Sequence, residues 1–505
     1  MHLAEGEISG WIAARARRSP DKLAIRFEDL EISYGAMEQR VAGLAGALAH
    51  GAAIAAGDRV AYLGHNAPEL LDLLFACARL GAMLVPLSAR MPAPELKAVL
   101  ENTEPKALLA EAAFEQTASD AGTALGLRVI PFGARNSAGT LRALLDRAPP
   151  LPCDPDRGLQ AALLIINTSG TTGPPKAAVL THASLHFNAL NVAAAIGINA
   201  DDEVLANGPL SNTGPMNILT TPALAAGATV TIQREFEPAA MLEAIEREAI
   251  TLAISPPAMT RALASHPRWD ATDLSSLRCV ITGSTTVHEN AMAPWFERGV
   301  PVCQDYGLTE TMPVVTVVPI GDAHRLRATA GRAVPHCCVR IAAADGSPVE
   351  REEVGEVLVQ GPAVMREYWR NPEATRDAFH PDRWFRTGDA GSLDAEGVLR
   401  IVDRIKHIII VGSYNVFPAD LESVLASCPQ IAQAVVVGRP DDELGEVPVA
   451  FVVPTEPGAL SVEDVKALFD GRLAEYKHPR DVVFADDLPR NAMGKVDGEK
   501  LRESL

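Results

Sequence analysis

Apolar positions along the chain alternate between helical spacing and short unbroken runs. Met37, Val41, Leu44 and Leu48 recur every three to four residues after Tyr34-Gly35, which predicts an amphipathic helix extending to His50. Gly57-Asp58 then turns the chain into an apolar run at 59–63. A helix at 68–80 and a strand at 82–86 complete a βαβ unit. The rhythm continues as a helix at 94–101, whose leading proline suits a first turn, and as strands at 107–109 and 128–130. Further on, 161–166 reads as a buried strand and 181–196 as a helix. Residues 223–232 and 241–248 repeat the strand and helix alternation, and 251–255 and 280–282 are short buried strands. Strands alternating with helices predict an α/β protein of mostly parallel sheets covered on both faces. In such sheets ligands bind where strands end, and two of these strands run into loops of small residues, Ser255-Pro256-Pro257 and Gly283-Ser284-Thr285-Thr286.

A chain of 505 residues is too long for one core and implies at least two domains. Composition shifts near 392–406, where Gly, Asp and Arg precede a shorter unit. Hydrophobic residues make up 48% and charged residues 22%, an ordinary globular balance. The formal charge of −19 argues against sequence-independent nucleic-acid binding, which rests on clustered Lys and Arg. Seven scattered cysteines lack the spacing of a zinc site or a disulfide framework, and the adjacent Cys337-Cys338 reads as half-buried strand. There is no basic and apolar leader at the N-terminus and no apolar run long enough to span a bilayer, so a reduced cytoplasmic enzyme is expected.

Chemistry concentrates first at Thr168-Ser169-Gly170-Thr171-Thr172-Gly173-Pro174-Pro175-Lys176. Glycines let backbone N–H groups approach an anion, hydroxyls add neutral donors, and Lys176 can stand against charge building on a departing phosphate. The nucleotide P-loop pattern fails here, because Pro175 and Ala177 occupy its glycine and hydroxyl positions. His182, in the first turn of the following helix, reads as a cap or packing residue rather than a base.

Four further motifs follow in order: Asp305-Tyr306-Gly307-Leu308-Thr309-Glu310, Arg386-Thr387-Gly388-Asp389, Asp403-Arg404-Ile405-Lys406, and Pro489-Arg490-Asn491-Ala492-Met493-Gly494-Lys495. With the phosphate loop, these make the chain resemble the adenylate-forming enzymes, which include acyl- and aryl-CoA ligases, luciferase and carrier-protein-loading adenylation domains. The resemblance is nearest to an acid–CoA ligase. It implies a large N-terminal AMP-binding domain (1–404), with a small β-barrel-like subdomain, and a small mobile α+β C-terminal domain (405–505) hinged near Lys406. It also implies ATP, Mg2+ and coenzyme A as partners in the reaction. Glu310 would hold magnesium and Thr309 would donate to the α-phosphate. Tyr306 would stack on adenine, bordered by Gly283, Ser284, Asp305 and Gly307. Asp389 and Arg404 would bind the ribose or a phosphate. Lys495 would bridge the substrate carboxylate and the α-phosphate as charge concentrates there. After rotation about Lys406, Gly412, Ser413 and Tyr414 would line a thiol tunnel. Taken singly, most of these residues would pass for turn, core or surface positions.

Where many relatives carry an aromatic residue and a histidine after Pro-Leu, this chain has Ser211 and Asn212, so a gate of that kind is not expected. The pocket candidates Asn212, Gly214, Ile218, Gly307, Met312 and Pro313 are small and apolar with one amide. They disfavour a dicarboxylate and leave room for an aryl or medium-chain acid. A carrier-protein loader, an oxygenase of the adenylate and a catalytically silent nucleotide- or acyl-binding protein remain alternatives. Against the silent reading, Lys176, Glu310, Asp389, Arg404 and Lys495 are all present. The expected assembly is a monomer or homodimer.

Overall fold

The computed structural model describes residues 8–133, 140–153, 158–168, 176–283, 289–412, 414–441, 443–490 and 496–505. Among the expected site residues, Ser169, Gly170, Thr171, Thr172, Gly173, Ser284, Ser413 and Lys495 lie outside the described residues.

Three sheets organise the described chain. One has the spatial order 367–368, 176–181, 162–168, 83–87, 59–63, 107–111, 128–132, and its strands from 83–87 outward to 128–132 run parallel. A second is a long path whose centre, 302–306, 279–282, 252–254, 203–206, 229–232 and 23–27, is parallel throughout. Its far arm, between 316 and 404, is antiparallel. Because the central strands are parallel, their carboxyl ends share one edge, which fixes where a ligand site can form.

The helix Pro68–Leu80 explains how the two large sheets meet. Every residue from Leu70 to Leu80 is buried, and a helix that is covered all round belongs inside the protein. One apolar cluster joins it to Val60 and Leu84 of the first sheet, Ile25 and Val230 of the second, and the helices Tyr34–Gly46, His182–Ile196 and Thr221–Ala226. Pro68 starts the buried helix and Gly81, at φ +68°, stops it.

Residues 409–484 build the third sheet, in which Ile431–Asp441 and Gly445–Pro454 form a long antiparallel pair and Asp481–Phe484 adds a parallel edge. Its core, around Ile409, Leu421, Val436, Val452 and Phe469, is a cluster of its own. The helices Pro418–Ala426, Val462–Ala467 and Gly498–Glu503 accompany it, making an α+β unit.

The expected elements up to residue 132 form, each within a few residues of the expected bounds. One expectation needs correction. Residues 223–232 are not a single strand: Thr221–Ala226 is helix, Gly227 at φ +87° ends it, and only Thr229–Ile232 is strand. An unbroken buried apolar run has no period that separates the two states, and here packing against the helix His182–Ile196 selects helix.

Candidate active site

Tyr306 and Glu310 leave the carboxyl end of the strand Val302–Tyr306, on the edge where the parallel strands stop. The chain can turn so tightly only because residue 307 is glycine: a Cβ there would lie 1.6 Å from Pro313 O. Leu308 N donates to Thr311 Oγ1 at 2.8 Å, closing the short turn Thr309–Thr311 that presents Glu310, whose residue is 8% exposed. Met365 N donates to Glu310 O at 2.7 Å, so the backbone of this carboxylate is held from a second segment.

The phosphate-loop flanks are strand ends. Thr168 and Lys176 face each other across an antiparallel pair, and Thr168 Oγ1 donates to Lys176 O at 3.2 Å. Lys176 Nζ stands 5.0 Å from the centre of the Tyr368 ring, and Tyr368 Oη donates to Glu310 Oε1 at 2.9 Å. Burial, then the neighbouring Glu310, raises the Tyr368 hydroxyl far above the usual phenol range, so it remains a donor.

A second constellation lies alongside. Tyr306 Oη donates to Asp389 Oδ2 at 2.7 Å, and Arg404 Nε meets Asp389 Oδ1 at 2.6 Å. Asp389 and Arg404 are direct partners on adjacent strands, and Thr387 Oγ1 accepts from Asp389 N at 3.0 Å. Burial and the Asp389 carboxylate hold the Tyr306 phenol well above its ordinary value, so it too stays protonated. These two donors orient the Asp389 carboxylate. Gly283 abuts Asp305, where an added Cβ would lie 2.2 Å from Asp305 Oδ1, and burial pushes the Asp305 carboxyl up to about 7.

Of the expected acid-pocket residues, Asn212 and Gly214 flank Thr213, which touches the turn Thr309–Thr311. Thr213 Oγ1 donates to Thr309 Oγ1 at 3.4 Å, joining the 209–214 loop to the catalytic turn. A helix follows as Thr213–Pro215, the π-turn Met216–Thr220 and Thr221–Ala226, with Ile218 buried on it. Met312 is fully buried, at a positive φ of 62°. Asn66, which carried no motif, fastens this region: its Nδ2 donates to Gly208 O at 2.8 Å and Gln233 O at 2.9 Å, and its Oδ1 accepts from Leu210 N at 2.8 Å.

Lys406 sits in the short turn Ile405–His407 that follows the strand Val398–Arg404. It is exposed, and partial desolvation lowers its ammonium from the usual range. Gly412 takes φ +63°, and Tyr414 stacks on Tyr476 at 4.5 Å beside a groove of about 280 Å³. His182 is fully buried at the start of its helix, whose cap is Thr181, consistent with a packing residue.

Glu310 supplies one carboxylate, and no cluster of three His, Cys, Asp or Glu able to hold a metal occurs among the described residues. That donor set suits a hard cation that takes its remaining oxygens from phosphates and water. No described helix is long and apolar enough to cross a membrane. Tyr368, Thr213 and Asn66 are the members of the site that motif reasoning missed.

A model of the AMP-binding enzyme family matches residues 12–369, and a model of the AMP-binding enzyme C-terminal domain matches residues 420–495. The chain is 44% identical over 500 residues to an indoleacetate–CoA ligase of Aromatoleum aromaticum, covering 98% of each. It is 37% identical over 489 residues to a feruloyl-CoA synthase of an Amycolatopsis species, covering 97% of each. The crystal structure of ATP-bound MatB from Rhodopseudomonas palustris matches with a TM-score of 0.91 at 30% identity, over 98% of each chain.

Proposed function

Because the chain belongs to the AMP-binding enzyme family, we propose that it is an ATP-dependent acid–CoA ligase acting on an aryl or arylalkanoic acid. The observation that carries this reading is the pairing of two constellations from the two large sheets: Lys176 on the ring face and Glu310 on the hydroxyl of Tyr368, and Tyr306 and Arg404 on the Asp389 carboxylate. One group faces a polyphosphate and the other a ribose. Relatives named for indoleacetate and ferulate support an aromatic acid, and the proposed pocket residues Ile218 and Met312 are apolar and buried.

In the first half-reaction a carboxylate oxygen attacks the α-phosphorus, and pyrophosphate leaves, giving an acyl-AMP anhydride. Residues 168–176 hold the departing phosphates, with Lys176 against the charge that builds on them. Thr309 donates to the α-phosphate, Tyr306 covers the adenine, and Asp389 accepts from the ribose hydroxyls with Arg404 beside it. Lys495 stands against the charge shared by the attacking carboxylate and the α-phosphate. Glu310 would hold magnesium, which when bound offsets polyphosphate charge. In the second half-reaction the thiol of coenzyme A attacks the acyl carbonyl and AMP leaves. The unit from 405 onward turns about Lys406 to bring Gly412, Ser413 and Tyr414 to the site, and its separate core supports independent motion. Seven cysteines without a disulfide among the described ones fit a reducing cytoplasm.

Pyrophosphate release across a panel of carboxylic acids, with and without CoA, tests this reading. Arylalkanoic acids are expected to drive release, and CoA to convert a single turnover into many. Lys406→Pro should retain adenylate formation and lose at least about tenfold in thioester formation. Failure of every acid to release pyrophosphate sinks the reading, release without use of CoA points to another acceptor, and undiminished thioester formation by Lys406→Pro removes the hinge.

A further inference from the structure

We infer that Tyr368 is a positioning residue that aims the Glu310 carboxylate and keeps it apart from Lys176. This rests on the reading of Glu310 as the magnesium-holding carboxylate. Tyr368 lies 58 residues beyond Glu310, in a two-residue strand, Glu367–Tyr368, that pairs antiparallel with the strand opened by Lys176. Its backbone is fixed from several sides: Arg366 N donates to Val179 O at 2.9 Å, Trp369 N to Ala177 O at 2.7 Å, and Tyr368 N to Thr375 Oγ1 at 2.9 Å. The ring is buried, its hydroxyl donates to Glu310 Oε1 at 2.9 Å, and its face carries Lys176 Nζ at 5.0 Å.

One aromatic side chain thus meets an anion at its hydroxyl edge and a cation on its face, as its hydroxyl dipole and π-face charge favour. Lys176 meets the ring face and Glu310 the hydroxyl, and no ion pair joins the two among the described residues. A direct pair would neutralise the two charges that the reaction needs separately, the ammonium for the leaving phosphates and the carboxylate for a hard cation. With Tyr368 between them, Oε1 is engaged and Oε2 is left to turn toward a ligand. Partners that orient a metal-binding carboxylate in this way typically matter by 10–100-fold in metal affinity.

The test uses the full-length enzyme and calorimetric ATP binding titrated with Mg2+, in the absence of acid and CoA. Y368F keeps the ring and loses the hydroxyl. It should raise the Mg2+ concentration for half-maximal enhancement of ATP binding by roughly tenfold, with ATP affinity in EDTA unchanged. E310Q should abolish the Mg2+ enhancement. Y368L, which also removes the face beneath Lys176, should weaken ATP binding even in EDTA. A melting curve checks each variant, and where Y368F melts lower, ATP affinity in EDTA distinguishes the causes: it is unchanged if only aim was lost and falls if packing was lost, which overturns the proposal. Unchanged Mg2+ dependence in Y368F, with loss in E310Q, also overturns it and leaves the Glu310 reading standing. Retained Mg2+ dependence in E310Q overturns both.

Discussion

Asp305 is 6% exposed behind the tyrosine of the candidate site, and burial pushes its carboxyl up to about 7. In the unfolded chain an aspartate titrates near 3.8, so the folded protein binds this proton more tightly. The resulting stabilisation is complete below about pH 4 and is lost as pH rises through 7. Asp305→Asn removes the ionisation, so its stability relative to wild type should climb between pH 4 and 7.5, by about 4 kcal/mol at most. A difference in unfolding free energy that stays flat across that range would contradict the assignment. Single residues were legible in the sequence where short-range chemistry marks them. Tyr306, Glu310 and Asp389 fall in runs with glycines and hydroxyls, Arg404 is marked only by its place in the ordered set of motifs, and the structure brings Tyr306, Asp389 and Arg404 into one bonded group. Tyr368 gave no signal, because an aromatic residue in a strand is ordinarily core, and its partnership with Glu310 arises only when a two-residue strand pairs with the strand after the phosphate loop.

Among the elements, the segment from 207 to 226 carries the proposed acid-pocket residues, and the Asn66 side chain is bonded to its start. Three of its hydrogen bonds reach the backbone of Gly208, Leu210 and Gln233, with the amide 4% exposed. Asn66→Ala strands those buried groups, so a cost of about 2–3 kcal/mol in stability is expected. Since the 209–214 loop carries the acid-pocket candidates, the KM for the acid should rise several-fold while that for ATP is unchanged. Equal rises for both substrates would show that Asn66 supports the fold in general and not this loop. Most helices and strands up to residue 132 were legible because Gly and Pro punctuate them, as Pro68 and Gly81 bracket the buried helix. The stretch 223–232 was misread because its residues are apolar without a period, and the tertiary neighbours, not the sequence, decide where helix gives way to strand.

In the whole molecule, two bodies of buried apolar surface meet near one short turn. The large sheets share a core, the sheet of residues 409–484 has another, and Lys406 lies in the turn between the strand Val398–Arg404 and the first strand of that smaller sheet. Sequence composition marked the change near 392–406 only as a shift toward Gly, Asp and Arg, since the proposed hinge has no side-chain pattern of its own. Under the proposed function an acid is joined to AMP before its acyl group passes to sulfur. Turnover with an arylalkanoic acid labelled with ¹⁸O in its carboxylate, followed by mass spectrometry of the nucleotide, tests it directly. One labelled oxygen should appear in AMP and none in pyrophosphate, whereas unlabelled AMP, or ADP and phosphate as products, would contradict the account.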